Sequence, residues 1–264
     1  MDSPSAYEKT TAAAGKKLAL LGTSPGRYAM QATLAGAYLT IIGFLYWSIR
    51  NSFGYANPTG QVISGLFFGV GLSVIIFTGA ELFTSNNMYL TVATLERRNS
   101  WAATLRLWAV CWVFNFAGAI AVAQLLAAAG SADLPSGHAL FEGVHHKIEA
   151  SSWHIFTKGI LANWIVCLAV WVNNNLKEEI ARLAAIILVV FIFLFLGFEH
   201  SIANMGYFAV AYLADPALPL AGLGRDLLFA TLGNIVGGAV GLGLTSWIVH
   251  RQPVAAFTAE ARAR

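Results

Sequence analysis

The sequence predicts an all-α membrane protein: six bilayer crossings, arranged as two three-helix halves in inverted orientation, with the second and fifth helices interrupted. Three observations predict it. Hydrophobic residues make up 57% of the 264 and charged residues 11%, against about 25% charged in a typical soluble domain, and the mean hydropathy is +0.64. Six apolar runs approach the roughly 20 residues that cross the hydrocarbon of a bilayer. The second half of the chain then echoes motifs of the first at matching spacing.

Residues 1–27 carry Lys9, Lys16, Lys17 and Arg27. They lack the short apolar core and small-residue cleavage site of a signal peptide, so they read as a retained cytoplasmic arm with one interfacial turn around Leu18–Leu21. Apolar runs cover 28–49, 60–80, 104–129, 156–173, 183–198 and 226–249. Two shorter apolar pieces, 88–95 and 201–213, follow the second and fifth runs after polar interruptions. That pattern predicts helices broken inside the membrane, near 82–87 and 197–201, which bilayers tolerate only where bare backbone is buried in protein or lines a cavity. The channel domain is 28–250, with one repeat at 28–129 and the other at 156–250, and residues 251–264 form a second cytoplasmic tail. Cys111 and Cys167 are isolated in apolar runs and read as core residues.

Six crossings put both termini on one side. Lys9, Lys16, Lys17, Arg27, Arg97, Arg98, Arg106, Lys177, Arg182, Arg251, Arg262 and Arg264 lie there, against Arg50, Lys147 and Arg225 opposite. The positive-inside rule therefore predicts cytoplasmic termini and a multi-pass protein of the inner (cytoplasmic) membrane. A net charge of +3 makes no case for a nucleic-acid partner. The outer connection 130–155 carries Asp133, Glu142 and Glu149 with His138, His145, His146 and His154. No i+3 or i+4 carboxylate set completes a metal site around His145-His146, so the segment reads as a solvated loop.

Gly79-Ala-Glu81-Leu-Phe-Thr84-Ser-Asn-Asn87-Met88 closes the second run, and Gly197-Phe-Glu199-His200-Ser-Ile-Ala-Asn204-Met205 closes the fifth. Both read G-x-E followed by an Asn-Met pair, with one extra residue in the first copy. Each is followed by N-x-x-G, Asn115 to Gly118 and Asn234 to Gly237, 34 and 35 residues beyond its glutamate. Three crossings per half is an odd number, so the halves are inverted, as in many solute-conducting proteins.

Four ionisable groups fall within the apolar zone: Glu81, Lys158, Glu199 and His200. A charge at mid-bilayer costs roughly 2.5–3.5 kcal/mol on insertion scales, so each needs a partner or a watery cavity. Glu81 and Glu199, in equivalent places, read as acceptors for amides freed by the breaks, with Asn87 and Asn204 as their structural companions. Lys158 lies one turn into the fourth run, either snorkelling to the interface or attracting anions. His200 adjoins the fifth-run break, and imidazole alone among side chains has an unperturbed pKa near neutrality. If the breaks meet, Thr84 and His200 face each other across one pore. Spacing alone reads Phe68, Leu72, Leu82, Phe83 and Phe193 as helix packing. Nothing predicts catalysis, a cofactor or a metal: there is no nucleophile set, phosphate-binding glycine loop or cysteine–histidine spacing.

Gly79-Ala-Glu-Leu-Phe-Thr-Ser, Lys158-Gly-Ile-Leu-Ala-Asn163, Gly197-Phe-Glu-His-Ser-Ile-Ala-Asn-Met205 and Leu232-Gly-Asn-Ile235 resemble signatures of the formate/nitrite transporter family, over about 28–250. The resemblance implies an aquaporin-like six-helix fold, a homopentamer and one anion pore per protomer. It implies that His200 is the central pore histidine and Thr84 its hydroxyl partner. Phe68, Leu72 and Phe193 would form the outer constriction, Leu82 and Phe83 the inner one, and Asn163 would stand beside the pore. Lys158 and the stretch from Leu220 to Asn234 resemble nitrite channels, while Asn86-Asn87 departs from them. Formate, hydrosulfide and lactate remain open, and the alternative of another class is a membrane-embedded enzyme or scaffold with no transport role.

The expected mechanism concerns a small monovalent anion and a proton. An anion entering an apolar constriction loses hydration at a cost the wall alone cannot return. Desolvation raises the pKa of the entering acid. Protonation, directly or through His200, would let the neutral acid pass; alternatively His200 stays neutral and only donates a hydrogen bond.

Overall fold

A computed structural model describes residues 5–250, and among them every regular element is helical. The order is α1 (Ala6–Thr23), α2 (Pro25–Phe53), α3 (Pro58–Thr78), α4 (Phe83–Leu95), α5 (Trp101–Ala128), α6 (Ala139–Glu149), α7 (Ser152–Asn175), α8 (Glu179–Phe195), α9 (Ser201–Ala214) and α10 (Leu220–Val236). The last continues through a π-helical stretch, Gly237–Leu244, into α11 (Thr245–His250). Five helical stretches are long and apolar enough to cross a membrane: α2, α3, α5, α7 and the continuous Leu220–His250. The tail at 251–264 lies outside the described residues.

Local chemistry sets the ends. Ser5 and Glu8 form a capping box at α1, while Asn57, Ser100, His138 and Ser151 each accept a backbone N–H at the start of their helices. Such side-chain oxygens or nitrogens satisfy donors that have no partner in the first turn. Gly79 and Gly197 end α3 and α8 with φ of +71° and +66°, a left-handed conformation that costs glycine nothing.

Helix pairs approach closely where side chains vanish. A Cβ on Gly36 would lie 1.8 Å from Asn115 O, and one on Gly118 would lie 1.9 Å from Thr33 O, so α2 and α5 touch backbone to backbone. α7 and the α10 helix repeat the device: Cβ atoms on Gly233 and Gly237 would meet Phe156 O at 2.2 Å and Ile160 O at 2.1 Å. Small residues at helix contacts are the usual solution where no hydrophobic effect drives helices together. Polarity is inverted accordingly. Phe67, Leu105, Leu125, Trp153, Trp164 and Leu188 are exposed, while Asn115, Asn163, Asn234, Glu81, Glu199 and His200 are buried.

Three expectations need correction. The first break spans 79–82 rather than 82–87, because Gly79 already turns the chain and α4 restarts at Phe83; Thr84 therefore sits in the first turn of α4. The segment 130–155 is not a solvated loop. It forms α6, whose Leu140, Phe141 and Val144 are buried and whose Gly143 seats the Trp47 ring. Residues 6–23 are likewise a full helix, α1, rather than a single turn.

Candidate functional site

Two polar clusters hold the two breaks, each built from a glutamate, a lysine and two asparagines. In the first, Glu81 Oε1 pairs with Lys17 Nζ at 2.6 Å and Oε2 accepts Asn86 Nδ2 at 3.0 Å. In the second, Glu199 Oε2 pairs with Lys147 Nζ at 2.5 Å and accepts Asn204 Nδ2 at 2.8 Å. Asn115 Oδ1 accepts Phe83 N at 3.0 Å while its Nδ2 donates to Glu81 O at 2.9 Å and Ala32 O at 2.7 Å. Asn234 repeats this, with Ser201 N at 2.8 Å, Glu199 O at 2.8 Å and Gly159 O at 2.9 Å. Each asparagine thus bonds the groups that a broken helix leaves bare.

This geometry corrects the alignment of the repeats. The residue equivalent to Asn204 is Asn86, five residues beyond its glutamate in both halves, so no extra residue is needed. Asn87 instead accepts Asn163 Nδ2 on its Oδ1 at 3.1 Å, away from Glu81. Sequence reading also missed the cations. In the sequence Lys17 reads as part of an arm and Lys147 as part of a loop, and the only signal for them is that a buried carboxylate demands a cation. Burial alone would lower both ammoniums, but Glu81 and Glu199 outweigh it and hold them above the ordinary lysine value.

The clusters flank a line of three cavities. α2 runs between them: Gln31 O near its start accepts Glu81 N, and Trp47 near its end packs on α6. On the α6 side, a vestibule of about 440 Å³ is lined by residues that include Arg50, Lys147, Lys158, Phe193, Glu199 and His200. On the α1 side, a cavity of about 170 Å³ is lined by residues that include Lys17, Glu81, Leu82 and Ser85. Between them sits a space of about 10 Å³ bounded by Leu39, Phe68, Leu72, Leu82, Val166, Val190, Phe193 and His200. It shares Phe193 and His200 with the vestibule and Leu82 with the other cavity, so the three are consecutive.

The narrow space is apolar except for one ring. Phe68 meets Phe193 edge-to-face at 6.0 Å, and Phe193 stacks on His200 at 5.8 Å. His200 Nδ1 accepts Ala203 N at 3.2 Å, capping α9, and Nε2 lies 3.0 Å from Thr84 Oγ1. With Nδ1 used as an acceptor, the ring proton resides on Nε2 and points at Thr84. Protonating Nδ1 would set two N–H groups against each other and undo the cap.

Of the remaining residues singled out from sequence, Leu72, Leu82 and Phe193 line the narrow space with Phe68, whereas Phe83 is buried and lines none of the three cavities. Asn163 donates to Thr84 O, Asn87 Oδ1 and Asn234 O, tying α4 to α10 behind the passage. Lys158 lines the vestibule and makes no ion pair among the described residues. Arg50 was not singled out. It is buried in the vestibule wall, over the Tyr55 ring at 4.9 Å and donating to Tyr55 O. Among the described residues no group of histidine, cysteine and carboxylate side chains is placed to hold a metal.

Comparison with known proteins agrees with this architecture. The formate/nitrite transporter family model matches residues 4–248. An uncharacterized transporter, YwcJ, of Bacillus subtilis (strain 168) is 36% identical over 245 residues, covering 90% of this chain and 94% of that one. The nitrite transporter NirC of Escherichia coli (strain K12) is 34% identical over 246 residues, covering 90% and 89%. A solved FNT family ion channel superposes with a TM-score of 0.88 at 31% identity, covering 94% of this chain and 99% of that one. A pentameric formate channel with formate bound superposes with a TM-score of 0.72 at 25% identity, covering 86% and 97%. These relatives are channels and transporters rather than enzymes, and with the apolar helices they make this a multi-pass membrane protein. The chain belongs to the formate/nitrite transporter family.

Proposed function

We propose that this protein is a channel for small monovalent weak-acid anions, nitrite or formate, which cross the narrow space as neutral acids. The observation that carries the reading is the row of cavities: two vestibules with buried lysines, joined through an apolar constriction whose single polar side chain is His200. Lys158 and Arg50, which make no ion pair among the described residues, raise the local concentration of anions in the vestibule. In the constriction an ionised acid loses its hydration without a counter-charge, so the proton travels with the anion.

Two roles for His200 follow from the sequence, proton exchange or neutral hydrogen-bond donation. The Ala203 N–H bond to Nδ1 favours the second. The ring then offers its Nε2 hydrogen, now held by Thr84, to the passing acid. Hydrosulfide and lactate fit the same physical scheme and are ranked by competition.

At the level of architecture the proposal is an aquaporin-like bundle of two inverted repeats. α3 with α4 makes the second crossing and α8 with α9 the fifth. The protomer, its channel domain at 28–250, assembles as a homopentamer in the inner membrane with both termini cytoplasmic. The neighbouring pentameric formate channel and the likeness of the two break clusters support this. Proteoliposome flux of formate and nitrite, with a pH-sensitive dye inside, tests the function. Anion uptake accompanied by internal acidification is expected; absence of anion-dependent flux at any pH between about 5 and 8 would overturn it.

A further inference from the structure

The two break clusters differ in one group. Asn204 gives its amide hydrogens both to Glu199 Oε2 at 2.8 Å and to Asp226 Oδ1 of α10 at 2.7 Å. In the other half the amide of Asn86 reaches Glu81 Oε2 at 3.0 Å and the Tyr28 hydroxyl at 3.2 Å. A phenol thus stands where the second cluster has a carboxyl.

Charge balance follows. Lys17 faces one carboxylate, Glu81, whereas Lys147 faces two. Asp226 is fully buried and Glu199 is 3% exposed. Lys147 bonds Glu199 directly, while Asp226 has no ion pair among the described residues and its Oδ2 has no hydrogen-bond partner. The charged groups acting on Asp226 are Glu199 at the break, Lys147 from α6 and Arg225 beside it on α10. Arg225 directs its guanidinium at the carbonyls of Ile148 and Ala150 instead. Lys158 of α7 lines the vestibule with Lys147 and Glu199. Two buried carboxylates sharing one amide and one lysine cannot both ionise at ordinary cost. Glu199 holds the lysine, so the proton belongs to Asp226, and Oδ2 is the atom left to carry it.

We propose that Asp226 holds a proton when the channel conducts, and that its ionisation turns off the attraction of the α6-side vestibule for anions. Protonated, the cluster is neutral and Lys158 and Arg50 leave the vestibule positive. Ionised, it adds a full negative charge beside the path that anions take. Among the described residues the Glu81 cluster has no such acid, so the control acts from one face of the membrane. This inference rests on the anion-channel reading.

The test uses the full-length channel in proteoliposomes oriented with a known face outward, with labelled formate as the probe and pH varied on one side at a time. Raising pH on the Lys147 side lowers formate uptake in any variant by depleting the proton, and should lower wild type about tenfold further than Asp226→Asn, the scale on which one sign of charge focuses ions into a cleft. Asp226→Asn keeps an oxygen for Asn204 but cannot ionise, and should lose only the uptake that the falling proton concentration removes. Titration on the Lys17 side should leave the two proteins alike. Infrared difference spectra should show a protonated-carboxyl stretch in wild type near neutral pH, shifted in Asp226→Glu and absent in Asp226→Asn. An Asp226→Asn flux that follows the wild-type pH profile would overturn the proposal. So would a wild-type spectrum without the protonated carboxyl, which decides the matter even if the variants fail to fold. Wild type that passes no formate at all would instead remove the channel reading, while the infrared band still reports whether Asp226 is protonated.

Discussion

His200 shows how a single hydrogen bond chooses between mechanisms. Its Nδ1 caps α9 and its Nε2 meets Thr84, so one nitrogen is a fixed acceptor and the other a fixed donor. Asparagine is a good N-cap, and His200→Asn should keep the Ala203 bond while losing reach to Thr84. We expect that variant to fold, to conduct formate about fivefold more slowly for the loss of roughly 1 kcal/mol of hydrogen bonding, and to keep the wild-type dependence on pH. Flux and internal acidification measured together in proteoliposomes check this; loss of acid-driven uptake would show that the ring itself titrates. Lys158 has no carboxylate partner among the described residues, so Lys158→Leu should leave folding intact and lower flux mainly at low anion concentration, where enrichment matters. Normal transport across the whole concentration range would make it a snorkelling anchor.

At the scale of elements, the breaks are held by asparagine side chains rather than by packing. Asn234 satisfies Ser201 N and the carbonyls of Gly159 and Glu199, all buried. Asn234→Leu strips those partners at about 1–3 kcal/mol for each buried group left unsatisfied. It should lower the melting midpoint in detergent markedly more than Asn87→Leu, which leaves Glu81 untouched. Equal shifts would contradict the assignment of Asn234 and Asn86 as the groups holding the breaks. Helix contacts give a sharper test. Gly237 lies so close to Ile160 O that a Cβ would sit 2.1 Å away. Gly237→Ala must therefore push α7 from the α10 helix, and monodisperse protein on size exclusion should be lost.

For the whole molecule, the lysine–glutamate pairs join the amphipathic flanks α1 and α6 to the broken helices. Removing one partner of a buried pair costs about 3–5 kcal/mol, because the other charge is left unpaired. Lys147→Met should be severely destabilised, and Lys147→Met with Glu199→Gln should recover much of the loss in a thermal melt. The pH dependence has a definite sign. Burial pulls Lys147 down, but Glu199 outweighs it and holds the lysine above its unfolded value. Its contribution is therefore complete below the ordinary lysine value of about 10.4 and is lost only as pH rises through the higher folded value. In Asp226→Asn, where the neighbouring acid no longer titrates, a melting temperature that fell between pH 6 and 9 and ceased to fall once Lys147→Met and Glu199→Gln were added would contradict this, because that window lies well below the lysine's titration.

Much of this protein was legible in one dimension. Apolar runs marked the long helices because a bilayer demands uninterrupted hydrocarbon, and the doubled G-x-E motif marked both breaks because a buried carboxylate is too costly to recur by accident. His200 and Thr84 were paired from the repeat, and the structure brings them to 3.0 Å. What spacing could not reveal were partners far along the chain. Lys17 reaches Glu81 over 64 residues and Lys147 reaches Glu199 over 52, intervals that no repeat predicts because α1 and α6 are attached by connections of different length. The role of Asn86 over Asn87 was also invisible, since the two neighbours differ only in the direction their side chains leave α4. Which nitrogen of His200 carries the hydrogen, and whether Asp226 has a cation of its own, depend on atoms contributed by other helices. Composition and period determined which segments enter the membrane. Only the packed structure decided which charges meet there, because in a low-dielectric interior a few ångströms separate a neutral pair from an unbalanced charge.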